Sequence, residues 1–286
     1  MKLGRAGAEI FVQDGRDADS ALARTTHMGI VAHPDDLEIL ASRGILDCFG
    51  RSDRWFCGVV ACDGAGSARS GPYAAFTDEQ MREVRRQEQR KAAVVGEYGA
   101  VVLLDYTSAQ AKAPGRKALV ADLRALLDRC QPEVVYTHNL ADRHDTHVAT
   151  ALGVIEACRA LPLERRPRRL LGGEVWRDLD WLADPDKVAE DVAERESLAM
   201  SLIGLFDSQI AGGKRYDLAV LGRRRAHATY RESHQLDRST ALSLAMDLTP
   251  LLQDAGLDPA SHLRALVGRF AAEVDERLAR LNGARK

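Results

Sequence analysis

The run His27-Met-Gly-Ile-Val-Ala-His-Pro-Asp-Asp36 decides the fold, because an apolar segment leads directly into a polar turn. Strands that are buried on both faces have continuous apolar sequences, and such strands occur in parallel sheets covered by helices. A second run, Trp55-Phe-Cys-Gly-Val-Val-Ala-Cys62, has the same character. Shorter apolar runs at 101–104 and 134–137 predict two more strands.

Helical spacing of apolar residues separates these strands, at 77–96, 119–127 and 148–160. Strands that alternate with helices predict an α/β fold, here a Rossmann-like, mostly parallel sheet with helices on both faces. Open sheets of this kind bind ligands beyond the carboxyl ends of their strands. We therefore expect the functional groups of the chain in the segments that directly follow the strands.

Residues 1–26 are polar and are interpreted as an N-terminal extension, and residues 27–286 as a single domain. Within it, 27–160 is the core with the metal site, and 161–286 is a substrate-side part with a helical C-terminal elaboration. In this last part we expect a strand within 173–182 and helices over 187–206, 216–230 and 259–281, from their apolar spacing.

Composition excludes several classes of protein. The 286 residues carry a formal net charge of -2, so no overall positive field favours nucleic acid. No run approaches the roughly 18 apolar residues of a membrane span, so membrane insertion is not expected. The five cysteines are odd in number and form no Cys-x-x-Cys pair, which favours buried thiols and a cytoplasmic location. No glycine pattern for a nucleotide cofactor follows any strand.

Two clusters of metal-ligand residues follow the first and the fourth predicted strand. The first, Ala-His-Pro-Asp-Asp, occupies 32–36, and the second, His-Asp-Thr-His, occupies 144–147. Catalytic zinc takes three nitrogen or oxygen ligands and keeps one position open. His33 and Asp36 lie in one turn and His147 supplies the third ligand from a distant segment. This pattern predicts one Zn²⁺ per chain, with another divalent metal as the alternative.

Asp35 lies beside this ligand pair and is free to accept a proton from water that a metal has activated. Each cluster alone also fits a structural role. His-Pro-Asp-Asp can be a turn that caps a helix, and His-x-x-His can be two histidines on one helix face. The two clusters together, each after its own strand, favour a metal site.

The chain resembles the PIG-L and LmbE-type zinc deacetylases. This family includes the GlcNAc-phosphatidylinositol de-N-acetylase and the deacetylases of mycothiol and bacillithiol biosynthesis. The family motif Ala/Pro-His-Pro-Asp-Asp is intact at 32–36, and the glycine-containing segment at 63–67 is also similar. An Arg-x-x-Glu helix matches at Arg85 and Glu88, and a Ser-Gln pair matches at 208–209. The resemblance covers residues 27–160 well and the rest loosely.

The resemblance implies a hydrolase that removes the N-acetyl group from an N-acetylglucosamine-type sugar conjugate. It assigns His33, Asp36 and His147 as zinc ligands and Asp35 as general base. It gives His144 the task of polarising the acetyl carbonyl, with protonation of the leaving amine as a further candidate role. It also implies assembly into a homo-oligomer of unspecified size.

The second motif departs from the family pattern His-Pro-Asp-His, because Asp145 replaces Pro and Thr146 replaces Asp. The missing carboxylate is the group that orients the first histidine in the family. A threonine hydroxyl is neutral, so we expect Asp145 or Asp142 to take over this task for His144. Both aspartates are also candidate substrate-binding residues.

Further candidates lie outside the two clusters. Arg85 is a candidate for binding a substrate hydroxyl or phosphate, and the alternative is an i,i+3 pair with Glu88 on a solvated helix face. Tyr230, Glu232 and His234 form a polar group that is expected to line the pocket from the C-terminal part.

Deacetylation of an amino-sugar conjugate is thus the leading hypothesis. A second enzyme hypothesis keeps the metal site but changes the bond to another acyl amide or an ester. A third is a sugar-binding protein without catalysis, which the Thr146 departure favours.

Overall fold

A computed structural model describes residues 1–231 and 234–283, and within these residues the chain forms eight strands and twelve α-helices. The strands are β1 (Glu9–Phe11), β2 (His27–Val31), β3 (Phe56–Cys62), β4 (Ala100–Tyr106), β5 (Val134–His138), β6 (Arg169–Gly173), β7 (Lys187–Asp191) and β8 (Leu242–Asp247). The first helices are α1 (Ala18–Ala23), α2 (Asp36–Leu40), α3 (Ser42–Cys48), α4 (Asp78–Val95), α5 (Ser108–Lys112) and α6 (Lys117–Cys130). The others are α7 (Asp145–Arg159), α8 (Glu196–Gly204), α9 (Asp207–Ile210), α10 (Tyr216–Thr229), α11 (Pro250–Gln253) and α12 (Pro259–Leu281).

All eight strands form one sheet in the order β1-β4-β3-β2-β5-β6-β8-β7. The five central strands, from β4 to β6, are parallel to one another. β1 joins one edge antiparallel to β4, and β8 joins the other side antiparallel to β6 and β7. This mostly parallel sheet confirms the predicted α/β fold class.

The order of the strands reverses between β2 and β5. The chain runs outward from β2 through β3 to β4, and then crosses to β5 on the other side of β2. A crevice forms at such a switch point beyond the carboxyl ends of the strands, because the following segments leave in opposite directions. Both predicted metal-ligand clusters begin at this crevice.

Burial on both faces of the sheet follows from the continuous apolar strands. In β3, Cys57, Val59 and Ala61 belong to one core cluster. The alternate residues Phe56 and Val60 belong to the other. The first cluster joins the sheet to α1, α6 and α7, and the second joins it to α3, α4 and α8. Each large aliphatic side chain buried in this way contributes roughly 1.5–3 kcal/mol.

Residues 1–26, which the sequence predicts as an extension, pack onto the domain in the structure. β1 extends the sheet by pairing with β4, and Arg90 Nε donates to Glu9 Oε1 at 2.8 Å. Ala21 and Leu22 of α1 are fully buried in the core. A strand of three residues and a helix of six are too short to give a clear apolar period, which explains why they were not predicted. The division of the chain into domains stays a prediction.

Two predictions for the C-terminal part are wrong. The strand expected within 173–182 is absent from this described segment, because β6 occupies Arg169–Gly173 instead. The helix expected over 187–206 begins only at Glu196, and β7 precedes it. β7 is held by β8, which lies more than 50 residues later, and apolar spacing within one segment cannot reveal that partner. The C-terminal part therefore adds strands to the sheet besides the predicted helices.

The helices expected over 216–230 and 259–281 are confirmed as α10 and α12. Among the described residues, no helix combines the length and the apolar character that crossing a membrane requires.

Candidate metal centre

The turn after β2 presents three functional side chains within four residues. Asp36 begins α2, and its Oδ2 accepts the backbone N–H of His33 at 2.8 Å. Asp35 has a left-handed backbone with φ 86°, a conformation that aspartate tolerates better than most residues. This turn directs Asp36 and His33 to one side, where they meet the segment that follows β5.

Three candidate ligand atoms lie close together at the switch point. His33 Nδ1 is 3.1 Å from His147 Nε2 and 3.3 Å from Asp36 Oδ2. His147 Nε2 is 3.4 Å from Asp36 Oδ2. His147 comes from the first turn of α7, after the neighbouring strand β5. The structure thus brings together the three residues that the sequence predicts as ligands.

These distances fit the face of a tetrahedral coordination shell. An ion with bonds of about 2.0–2.1 Å to nitrogen and oxygen needs ligand atoms about 3.3–3.4 Å apart. Two imidazole nitrogens and one carboxylate oxygen are a donor set typical of catalytic zinc, and other divalent first-row metals accept it as well. The chemistry and spacing of His33, Asp36 and His147 therefore fit three ligand positions of a mononuclear metal site.

Among the described residues, two other groups of three also bring ligand atoms within 4.8 Å, namely His33, His144 and His147, and Asp36, His138 and His147. The fully buried His138 is less suited as a ligand, because its Nε2 accepts the backbone N–H of Ala32 at 2.9 Å. Its ring instead stacks on that of His147, with 3.9 Å between centroids. We assign His138 to the support of His147. Its position at the end of β5 was the only sequence signal for this role.

The buried Asp36 carboxylate and the neighbouring histidine His147 shift each other's pKa. Burial acts to raise the pKa of Asp36, but His147, His138 and His33 surround it and hold that pKa well below its usual range. Burial acts to lower the pKa of His147, but Asp36 and Asp142 raise it above the ordinary value. The cluster therefore favours the ionised form of the Asp36 carboxylate, which imidazole rings surround.

Asp142 contacts the ring of His147, a predicted ligand, and not the ring of His144. Its Oδ2 lies 3.4 Å from His147 Nδ1, and its Oδ1 accepts the backbone N–H of His144 at 3.0 Å. Asp145 is exposed at the start of α7, and the Thr146 hydroxyl is buried without a hydrogen-bond partner. Neither Asp142 nor Asp145 lines the cavity described below. The structure thus places Asp142 behind the predicted ligand His147.

Asp35 is buried beside the predicted ligands and pairs with Arg85. Its Oδ2 accepts from Arg85 Nη2 at 2.9 Å. Burial raises the pKa of Asp35 to about 7, with Asp36 adding to the increase and Arg85 opposing it. A carboxyl with a pKa near neutrality exchanges a proton readily at physiological pH.

Arg85 does pair with Glu88, as the alternative interpretation of the sequence expected, but on a buried face of α4. Its side chain is 2% exposed, and Nη1 lies 3.2 Å from Glu88 Oε2. Glu88 in turn accepts the backbone N–H and the hydroxyl of Ser208, each at 2.7 Å. Gly64, with φ +73°, packs against the side chain of Arg85. The predicted Arg-x-x-Glu and Ser-Gln motifs thus meet in one buried network that ends at Asp35.

A second buried hydrogen-bond network holds the backbone of the same turn. The Asp35 backbone N–H donates to Gln89 Oε1 at 3.3 Å, and Gln89 Nε2 donates to Glu38 Oε1 at 2.8 Å. Tyr98 donates to the same oxygen at 2.8 Å. Burial raises the pKa of Glu38 to about 8, although these two hydrogen bonds act in the opposite direction.

His144 directly precedes α7, and its ring lies beside those of His33 and His147. Its ring stacks on that of His147, with 4.6 Å between centroids, and lies 6.5 Å from that of Trp176. Burial lowers the pKa of His144 to about 4, and the neighbouring His147 and His33 act in the same direction. A neutral imidazole carries one N–H, which can donate a hydrogen bond to a ligand.

These groups open into a cavity of about 560 Å³, a size typical of small-molecule sites. Its lining includes His33, Asp35, Asp36, His144, His147, Arg85, Ser108, Lys112, Trp176, Gln209, Lys214 and Tyr216. Sequence reasoning missed Trp176, Lys214 and Tyr216 as site residues, because nothing in their local sequence indicates that they fold back over the strand ends. Tyr230 and His234 are exposed and do not line this cavity, and Glu232 is outside the described residues.

Comparison with known proteins agrees with this architecture. Residues 28–158 match the family model PIG-L, described as GlcNAc-PI de-N-acetylase, and this segment contains both predicted ligand clusters. No curated protein matches the chain.

Solved structures share the fold at low sequence identity. A conserved protein from Thermus thermophilus aligns with TM-score 0.61 and 17% identity, over 82% of this chain and 99% of that chain. The N,N'-diacetylchitobiose deacetylase from Pyrococcus horikoshii aligns with TM-score 0.62 and 14% identity, over 80% and 86%. The 4-carboxy-2-hydroxymuconate hydratase from Pseudomonas putida aligns with TM-score 0.59 and 18% identity, over 78% and 96%. These similarities concern the fold.

Proposed function

We propose that this protein is a zinc-dependent hydrolase that removes the N-acetyl group from an N-acetylglucosamine-type sugar conjugate. The observation that carries this proposal is the convergence of His33 Nδ1, Asp36 Oδ2 and His147 Nε2 within 3.1–3.4 Å, beside the buried carboxyl of Asp35. A metal held there when bound would act as a Lewis acid toward water and the acyl carbonyl. The family description and the name of the Pyrococcus deacetylase support the choice of bond.

The side chains have separate tasks in this proposal. Asp35 accepts a proton from the attacking water, and Arg85 and Gln89 hold its carboxyl and its backbone in place. His144 donates a hydrogen bond to the acyl oxygen, on which negative charge develops during attack. The water oxygen bonds to the acyl carbon, the carbon–nitrogen bond breaks, and the departing nitrogen takes up the proton, which gives acetate and an amine.

The walls of the cavity suit an amino sugar. Trp176 and Tyr216 present aromatic rings with 6.1 Å between centroids. Polar groups of Ser108, Lys112 and Gln209 also line the cavity. Apolar ring faces combined with a few polar groups fix the orientation of a small polar ligand. A single sugar ring with its N-acetyl arm fits a volume of about 560 Å³.

An acetate-release screen with metal analysis tests this proposal. The purified chain would be prepared metal-free and loaded with Zn²⁺, Co²⁺ or Mg²⁺. Each form would be assayed with N-acetylglucosaminides, N-acetyl amino acids and an O-acetyl ester. We expect acetate from the sugar amides with the loaded protein only. Comparable turnover of esters or other amides would support the broader amidase or esterase hypothesis. Metal-loaded protein that binds the sugars and releases no acetate would contradict catalysis.

The fold also occurs in a hydratase, so addition of water without bond cleavage is a meaningful control. A conjugated enol acid would be incubated with the loaded protein and its absorbance followed. Loss of absorbance, together with absence of acetate release from all amides, would replace hydrolysis by hydration as the function.

The proposal also includes the location of the protein, its domain organisation and its oligomerisation. The five cysteines are free and buried, which supports a cytoplasmic location. We also propose that residues 27–286 act as one domain and that the protein forms a homo-oligomer. Sedimentation velocity and limited proteolysis test the last two statements.

A further inference from the structure

The C-terminal helix α12 is 23 residues long, and its first half packs on the domain. Leu263 and Leu266 contact the core cluster that joins the sheet to α1, α6 and α7. Arg269 donates two hydrogen bonds to Asp186. In the described part of the chain, Leu266 is the only buried residue of this helix, which continues for about four turns beyond it. The second half of α12, residues 267–281, is therefore largely exposed.

The second half of α12 carries an exposed apolar stripe. Large apolar side chains are between 39% and 73% exposed at Val267, Phe270, Leu278 and Leu281. With the partly exposed Val274, they recur at intervals of three or four residues, which places all five on one face of the helix. Helices in proteins derive most of their stability from the packing of such a face. A contiguous apolar stripe on the surface marks a site of interaction.

The charges around the stripe favour a protein partner over a lipid surface. A helix that lies on an anionic membrane has an excess of basic residues on its polar face. Residues 267–281 contain three basic and three acidic residues, namely Arg269, Arg277, Arg280, Glu273, Asp275 and Glu276. Their charges balance, so this segment gains little from anionic lipid.

The stripe is symmetric about Val274. Phe270 and Leu278 lie four residues on either side of it, and Val267 and Leu281 lie seven residues on either side. A two-fold axis perpendicular to the helix at Val274 therefore pairs the stripe with that of a second, antiparallel copy. It places Phe270 against Leu278 of the second copy, and Val267 against Leu281. An isologous interface requires such self-complementarity.

The charges beside the stripe favour the antiparallel orientation. Glu273 and Arg277 lie on one flank of the stripe and pair within the helix, whereas Asp275 lies on the other flank. In the antiparallel pair, like flanks meet, so Glu273 of each copy lies beside Arg277 of the other. Asp275 then meets only its own counterpart. In a parallel pair, unlike flanks meet, and Glu273 faces Asp275 twice.

We propose that the second half of α12 binds a second copy of this chain as an antiparallel helix pair centred on Val274. The Leu266 residues of the two copies then lie about 24 Å apart along the helix axis, with one domain at each end of the pair. A single helix pair is smaller than a standard interface of about 1,200–2,000 Å², so the dimer dissociates on dilution. This surface is independent of the hydrolase function proposed above.

Sedimentation velocity of the full chain, from about 1 to 100 μM, tests the proposal. We expect a shift from monomer to dimer across this range. Val274→Glu places two carboxylates at the two-fold axis and should raise the dissociation constant by about 100-fold or more. Ala272→Glu is the matched control, because Ala272 is exposed on the opposite face of the helix, and its dissociation constant should equal that of the wild type. A monomeric wild type at all concentrations, or equal association of Val274→Glu and wild type, would overturn the proposal.

Charge variants on the exposed flanks test the orientation without altering the stripe. Glu273→Arg faces Arg277 of the second copy and should weaken association by about three- to tenfold. Combining it with Arg277→Glu should restore the affinity, because the pair is then reversed. Asp275→Asn should strengthen association about threefold, since it removes the contact of two carboxylates. Stronger association of Glu273→Arg would contradict the antiparallel pair, because this result is expected when Glu273 faces Asp275.

A lipid surface is the competing partner, and flotation with vesicles tests it. The wild type and Val274→Glu would be mixed with vesicles of phosphatidylcholine and phosphatidylglycerol. We expect both to stay unbound. Flotation of a wild type that remains monomeric, lost in Val274→Glu, would overturn the proposal and assign the stripe to a membrane surface.

Discussion

The two parts of the chain on either side of residue 160 contribute different kinds of groups to the site. The first part supplies His33, Asp36 and His147, and it places them at the ends of adjacent parallel strands. The second part supplies Trp176 and Tyr216, which come from segments outside the parallel core and form a wall. The comparison teaches that the position of the predicted ligands depends on the sheet, whereas the aromatic wall of the cavity depends on segments that fold over the sheet.

The largest effect is expected when a predicted metal ligand is removed from the first part of the chain. His147→Ala removes one of three predicted ligands, and we expect metal affinity to fall by more than 100-fold, beyond the effect of losing a supporting contact. Activity should disappear with the metal. Elemental analysis after dialysis measures this loss, and His262→Ala on α12 is the control, since it lies outside the cluster. Stoichiometric metal in His147→Ala would disprove the ligand assignment.

Asp35→Asn tests the chemical group beside the ligands. The amide has the same shape but cannot accept the proton, so kcat should fall by about 10²–10⁴-fold. Bound metal and melting temperature should remain close to those of the wild type. Asp180→Asn serves as control, because Asp180 is 78% exposed in its side chain. Turnover within twofold of the wild type would exclude Asp35 as the base.

Asp142→Asn distinguishes two roles for one residue. Because Asp142 Oδ2 lies 3.4 Å from His147 Nδ1, we expect metal affinity to fall by about 10–100-fold. The kcat at saturating metal should change little. A chelator-competition titration measures the affinity. A raised KM with normal metal affinity would favour the substrate-binding role that the sequence predicts.

Trp176→Ala moves the test to the second part of the chain. The variant loses contacts between the indole ring and the substrate. Because these contacts are equally strong in the ground state and in the transition state, KM should rise about tenfold with kcat nearly constant. Steady-state kinetics on a sugar amide measures both, and Trp176→Phe should retain most of the affinity. A lower kcat with unchanged KM would show that Trp176 acts on the chemical step.

The last prediction concerns the stability of the C-terminal part and not its activity. Burial raises the pKa of Glu190 on β7 to about 7, and Arg169 opposes this shift. The folded state therefore holds a proton that the unfolded state releases from about pH 4.5 upward, so this stabilisation is present at low pH and is lost toward pH 7. The change amounts to about 3 kcal/mol. Urea denaturation from pH 5 to 8 should show this decrease in the wild type and in the control variant Glu194→Gln, because Glu194 is exposed. Glu190→Gln should lack it.

Much of the first part could be predicted from the sequence, for a physical reason. A strand buried on both faces has to be apolar throughout, and the turn that follows must be polar where it meets solvent. The run ending at Asp36 shows both features, and the parallel arrangement then brings the segments after β2 and β5 together. The position of His33, Asp36 and His147 after these two strands was enough to predict that the three side chains converge.

The second part could be predicted less well, because its structure depends on distant partners. β7 has only five residues, and its partner β8 follows after three helices. The role of Asp142 was also not predictable, since its distance to His147 depends on the turn between β5 and α7. The same holds for Trp176, whose backbone N–H donates to Asp142 Oδ2 at 3.2 Å.

The left-handed backbone of Asp35 has a consequence for how this protein can change. A residue with a Cβ atom in that conformation lowers folding stability by roughly 1 kcal/mol relative to glycine. Selection for stability alone would therefore favour glycine at this position, at the expense of the carboxyl group. The turn thus gives up some folding stability and retains a carboxyl group beside the predicted ligands, and such strained backbone is common at functional sites.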